Sequence, residues 1–185
     1  MWSCSERKNG TAGRAAGGRF GRRAFCLGMG SGAAALSLAG CGFAPVYGAG
    51  GAGGKLLGEV ALPEPAGPIG YVFNRRFEER LGRAGPDASY ALRLALATDE
   101  EALGGTSAGA TTRYRLAGEV RFTLVDAVTE RILVSDATQA FTGYSATGST
   151  VATLAARRDA EQRLAVLLAD QMVDLLLLTA PELPR

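Results

Sequence analysis

The stretch TRYRLAGEVRFTLVD, residues 112–126, constrains this chain more than any other. Tyr114, Leu116, Val120, Phe122 and Leu124 share one parity, while Arg113, Arg115, Glu119 and Arg121 take the other. Alternation with period two over a dozen residues fits a strand with one covered face and does not fit a helix. Two more segments read the same way: SYALRLALA (89–97), with Tyr90, Leu92, Leu94 and Leu96 in step, and RILVSDATQAFTGYS (131–145). DAVTE (126–130) is a hairpin connection from 112–126 into 131–145, and DEEALGGTSAGATT (99–112) reads as a polar loop. A short apolar stretch in LLGEVALPEP (56–65), closed by two prolines, predicts a first strand.

Two segments carry helical spacing instead. Pro68 suits a first helical turn, and Ile69, Val72, Phe73, Phe77 and Leu81 then recur every three or four residues until Gly82 and Gly85-Pro86 end the pattern. Arg75 and Glu79 are placed to pair across one turn. Residues 150–178 form the longest periodic piece, with Leu154, Leu164, Leu167, Leu168, Met172, Leu175 and Leu176 mainly on one face. Ser149 or Thr150 is the expected cap, and Pro181 and Pro184 stop the helix. A helix of that size is about 40 Å long, more than a small sheet needs, so one part is expected to cover the sheet and another to project toward a partner. Charges from Arg157 to Asp174 argue against a membrane span. The order β-α-β-β-β-α predicts an α+β two-layer sandwich, two helices packed on the apolar face of a mostly antiparallel four-stranded sheet.

The head of the chain has a different character. Residues 1–40 hold six basic residues against the single acid Glu6; without them 14 basic and 17 acidic residues remain, a net charge near −3. The basicity of the whole chain therefore belongs to its head, and the body supplies no plain basic patch for nucleic acid. RRAFCLGMGSGAAALSLAGC (22–41) has the layout of an export signal: a positive pair, a small apolar run, then a boundary motif. Leu38-Ala39-Gly40-Cys41 resembles a bacterial lipobox, which implies cleavage before Cys41, a diacylglycerol on its thiol and an acylated amine, palmitate being one such chain. Several acyl chains hold a protein on a bilayer where one does not, since each buried CH₂ contributes about 0.8 kcal/mol. GRRAFCL (21–27) resembles a twin-arginine export signal, with the general route left open, and Gly42 in place of an aspartate points to the outer membrane. Gly48, Gly50, Gly51, Gly53 and Gly54 follow no nucleotide-binding spacing and read as a tether. The expected layout is an export signal over 1–40, a lipidated flexible tether over 41–56, one domain over 57–180 and a tail over 181–185.

Catalytic chemistry has little to stand on. The chain has no histidine, and its three cysteines, at 4, 26 and 41, all precede the expected domain. Cys/His pairs, soft metal sites and a disulfide framework are thereby excluded from that domain. No cofactor is expected beyond the lipid on Cys41. Asp99-Glu100-Glu101 is expected to be a solvated turn, and Asp170 and Asp174, one helical turn apart, are expected to face solvent rather than form an acid pair. Arg113, Arg115 and Arg121 lie opposite the apolar side of their strand, on a face that is wet or meets a partner.

LAGCGFAPVYG (38–48) is similar to the start of the LptE lipopolysaccharide-assembly lipoproteins of alphaproteobacterial type. The long block from TRYRLAGEV through YSATGS to ARRDAEQRL and its leucine-rich helix resembles the body of that family, over roughly 41–178. The resemblance implies a non-enzymatic outer-membrane lipoprotein on the periplasmic side, lipidated at Cys41. It implies a one-to-one partnership with the large β-barrel of the lipopolysaccharide translocon, which such proteins plug and help assemble, and binding of lipopolysaccharide. No family contact residues carry over. Arg113, Arg115 and Arg121 are candidates for acidic glycolipid or barrel contact on physical grounds. Two other readings stay open: a free lipoprotein that binds lipid or peptidoglycan without a barrel, and a small hydrolase built on Asp170 and Asp174.

Overall fold

The computed structural model describes residues 48, 51–105 and 111–184. The export signal, Cys41 and most of the tether lie outside the described residues. The body contains β1 (Val60–Ala61), α1 (Gly67–Leu81), β2 (Tyr90–Gly105), β3 (Thr111–Asp126), β4 (Ile132–Ser145) and α2 (Thr150–Thr179). The sheet order is β1-β2-β3-β4, with β1 parallel to β2 and the two long pairings antiparallel. This is the expected α+β two-layer sandwich in the expected element order.

Parity decides the layers. The even-numbered residues Leu116, Val120, Phe122 and Leu124 of β3 join Tyr90 and Leu92 of β2 in a core closed by Phe73, Phe77 and Leu81 of α1 and by Leu164, Leu168, Met172 and Leu176 of α2. Each fully buried large apolar side chain contributes about 1.5–3 kcal/mol. α2 packs on β3, β4 and α1. Gly118 lets it approach closely, because a Cβ there would stand 2.9 Å from the methyl carbons of both Leu164 and Leu168. The buried face of α2 is Ala160, Leu164, Ala165, Leu168, Ala169, Met172, Val173 and Leu176. Small alanines thus do work expected of Leu154 and Leu167, which are 46% and 42% exposed. By length and composition α2 is apolar enough to cross a bilayer, yet that apolar face is the core of the sandwich.

Local chemistry sets the ends. Pro68 opens α1, and Gly82, at φ 79°, closes it with its N–H on the Glu78 carbonyl. Ser149 caps α2, its Oγ accepting from the Ala152 N–H at 3.2 Å. The β3–β4 turn is built on Asp126, whose Oδ1 accepts from the N–H groups of Val128 and Thr129. Those backbone and side-chain bonds from Thr129 hold the Asp126 carboxyl below the usual carboxylate range.

One expectation, the polar loop over 99–112, is corrected, and three details are added. The first strand has only two residues, Val60 and Ala61, because Pro63 and Pro65 end any longer pairing. The polar loop expected over 99–112 is largely strand: Asp99, Glu100 and Glu101 pair with Ala117, Leu116 and Arg115, and an irregularity at Ala102–Gly105 follows. Cross-strand pairing overrides a loop-like composition once the hairpin partner is long enough. The folded body also begins before residue 57. A 3-10 turn at Ala52–Lys55 leads into Leu56, which is wholly buried. The expected tail folds as well: a 3-10 turn at Ala180–Glu182 meets the first one, and Leu183 enters the core. Lys55 Nζ donates to the carbonyls of Pro181 and Leu183, at 3.1 and 2.6 Å, and Tyr90 Oη donates to that of Pro184 at 2.6 Å.

Candidate functional site

The helices cover one side of the sheet, and among the described residues nothing covers the other. Side chains alternate across a strand, so the odd-numbered residues of β3 line the open face. Across the strands Arg115 stands opposite Glu101 and Gly143, Ala117 opposite Asp99 and Phe141, Glu119 opposite Ala97 and Gln139, and Arg121 opposite Ala95 and Ala137. Alanines at 95, 97, 117 and 137 form a low floor between longer side chains. Two hollows result. One, of about 460 Å³, is bounded by Asp99, Arg115, Glu119 and Phe141; the other, of about 640 Å³, by Arg93, Arg121 and Asp136.

All three candidate arginines therefore share one row, but they are not drawn together. Arg113 to Arg121 spans eight residues of strand, about 26 Å. Arg113 is exposed and Arg115 half-buried, and among the described residues neither forms an ion pair. The Arg115 guanidinium lies 4.5 Å from the centroid of the Phe141 ring, a cation–π contact, and its Nε is buried without a hydrogen-bond partner. Arg121 is engaged: its Nε sits 2.7 Å from Glu119 Oε1. The open face thus offers an aromatic-backed cation at Arg115, a free cation at Arg113 and a neutralised one at Arg121.

Sequence reasoning missed Phe141, Asp99 and Glu101 as members of this face. Phe141 was legible from its parity with Ala137 and Gln139; the two acids were hidden by a loop-like run of polar residues. Phe141 is 64% exposed, unusual for a ring of that size.

The acid pair lies elsewhere and does not face solvent as a pair. Asp170 accepts two bonds from Arg76, Nε at 2.8 Å and Nη2 at 3.1 Å, and one from Arg80 at 3.0 Å; Arg80 also reaches Asp174 at 2.7 Å. The two residues are the α2 half of a clamp onto α1. Burial alone would raise the Asp170 carboxyl, but the guanidinium bonds from Arg76 and Arg80 outweigh it and hold the group below the ordinary carboxylate value. The expected Arg75–Glu79 pair is present, and Arg157–Glu161 and Asp159–Arg163 pair in the same way across one turn of α2. Among the described residues no group of three or more His, Cys, Asp or Glu converges as a metal site.

At the far end of the helix side, Tyr114 and Tyr144 stack with centroids 5.1 Å apart and planes 12° from parallel. Burial pushes the Tyr144 hydroxyl up, and nearby Glu100 adds to the effect. Arg157 of α2 reaches Glu100 at 3.1 Å, fastening the first turns of the helix to β2.

Comparison with known proteins adds to this geometry. No curated protein matches the chain. The fold is similar to that of a protein from Caulobacter crescentus CB15 classed as a lipoprotein, at 21% identity, covering 71% of this chain and 98% of that one with a TM-score of 0.58. It is also similar to the rare lipoprotein B of Shewanella oneidensis, at 14% identity, 67% and 96% coverage and a TM-score of 0.51. The model of the LptE lipopolysaccharide-assembly family matches residues 57–176, which take in α1, the three long strands and nearly all of α2. The chain belongs to the LptE lipopolysaccharide-assembly family.

Proposed function

We propose that this protein is a non-enzymatic outer-membrane lipoprotein, held on the periplasmic side by lipid on Cys41, that plugs and helps assemble the β-barrel of lipopolysaccharide export. In this reading residues 1–40 are a cleaved export signal, the barrel partner is bound one to one, and the open sheet face binds lipopolysaccharide on its way to the outer leaflet. The observation that carries the reading is the family match over 57–176, nearly the whole folded body. A body with a well-charged surface suits the wet lumen of a large barrel. Arg113 and Arg115 supply guanidinium groups with no carboxylate partner, the donor geometry that anionic oxygens of an acidic glycolipid demand. Phe141 places apolar surface beside them.

The test is gentle detergent extraction of the tagged, full-length protein with mass identification of everything bound in equal amount. A single large β-barrel, with lipopolysaccharide carried along, is the expected result. Recovery of the lipoprotein alone, under conditions that keep other outer-membrane complexes together, overturns the reading in favour of a free lipid- or peptidoglycan-binding module.

A further inference from the structure

A four-stranded sheet has two edges, and here they differ. An edge strand presents unpaired N–H and C=O groups that template pairing with another chain unless something blocks them. On β4 the blocks are present. The Ala146 N–H, just past the strand, donates inward to Thr112, so by alternation the odd-numbered residues of β4 aim their backbone groups outward. Two of these are occupied: Asp136 Oδ1 accepts from the Ala137 N–H at 2.7 Å, and Arg163 Nη2 donates to the Gly143 carbonyl at 3.1 Å.

The β2 edge has no such guard. β1 covers only Tyr90 and Ala91. The Tyr90 N–H donates to the Glu59 carbonyl at 2.9 Å, so the even-numbered residues of β2 aim at this edge. Beyond β1, the backbone groups of Leu94, Leu96 and Thr98 point where no described strand, turn or side chain meets them. No proline interrupts this stretch, and the irregularity of β2 begins only at Ala102. Leu94 and Leu96 stay half-buried at the margin of the core, while Ala95 and Ala97 are exposed on the open face. Asp99 and Glu101, also on the open face, form no ion pair among the described residues, whereas Glu100 on the helix side is taken by Arg157.

We infer that the β2 edge around Leu94–Thr98 is a docking slot for one extended segment of a partner protein, added to the sheet by strand pairing. Alternation fixes the chemistry of that segment. Its apolar side chains lie on the helix side against Leu94 and Leu96, and its cationic side chains lie on the open face against Asp99 and Glu101. Residues 42–50 and 106–110 of the protein's own chain contain no Lys or Arg and lack that complement.

The test compares amide exchange of the full lipidated chain in isolated native membranes with that of the same chain purified as a monomer. The amides of Leu94, Leu96 and Thr98 are expected to exchange freely in the monomer and at least about tenfold more slowly in membranes. Thr98→Pro removes an exposed side chain and an N–H that makes no ladder bond, so the variant is expected to keep its melting temperature and lose the membrane-dependent protection at 94 and 96. Asp99→Lys with Glu101→Lys leaves the backbone intact and is expected to weaken the same protection. Equal exchange in both preparations overturns the inference. So does protection already present in the monomer, which would mean an occupant from the same chain, or protection that grows with concentration, which would mean a second copy. Free edge amides in a chain that still extracts with a barrel sink the docking slot alone; protected amides in a chain that extracts without one sink the barrel reading alone.

Discussion

Along β3 the even-numbered side chains Leu116, Val120, Phe122 and Leu124 are at most 2% exposed, while the odd-numbered row from Arg113 to Thr123 looks onto an uncovered sheet face. One strand therefore carries two duties separated by a single residue step. The covered side is crowded enough that any Cβ at position 118 would displace the leucine methyls of the helix above it. The open side has an alanine floor, an exposed aromatic ring and a guanidinium with an unsatisfied buried Nε. Burial this lopsided means that substitutions should sort by parity: even positions should change stability, and odd positions should change binding.

The largest effect should come from Phe122→Ala, which empties the centre of the core and should cost about 3–5 kcal/mol in a denaturant melt. A cost under about 1 kcal/mol would mean that the covered face is not where stability lies. Gly118→Val should follow. Its side chain meets the methyl ends of Leu164 and Leu168 at a distance no Cβ tolerates, so these leucines must repack or α2 must shift, at about 1–3 kcal/mol.

The clamp between the helices sharpens the comparison by adding pH. Asp170 titrates below the ordinary carboxylate value in the folded protein. Its contribution is therefore complete above about pH 4, the unfolded value, and is lost as pH falls through the folded value. Asp170→Asn should lower stability by about 1 kcal/mol near neutrality, since partial exposure screens the pair. The gap between variant and wild type should close in acid. A gap that stayed constant down to about pH 2 would rule out the charge as its cause.

How much of this was open to sequence reading depends on range. Both helices, the turn at Asp126 and the alternation of β3 follow from residues a few positions apart, and all are present as expected. What failed depends on distant partners. Asp99–Glu101 became strand because Arg115–Ala117 extends far enough to pair with them. Asp170 looked solvent-facing because Arg76 and Arg80 lie 94 and 90 residues earlier in the chain. The fold of residues 51–56 rests on Lys55 finding carbonyls at Pro181 and Leu183, which no local pattern announces. For the candidate site, parity alone placed Arg113, Arg115 and Arg121 on one face. It did not reveal that Glu119 neutralises Arg121 or that Phe141 backs Arg115.

The smallest effect on stability, and the most informative, belongs to the open face. Arg113→Ala with Arg115→Ala should shift unfolding by no more than about 0.5 kcal/mol, and Arg121→Ala should weaken lipopolysaccharide binding less than either, because Glu119 already occupies it. The measurement that tests the parity account most directly pairs the melting temperature of the purified full-length double variant with its retention of lipopolysaccharide. An unchanged melt with retention reduced several-fold is the predicted result. Undiminished retention, or retention lost only together with the fold, would contradict the assignment of the open face to lipopolysaccharide.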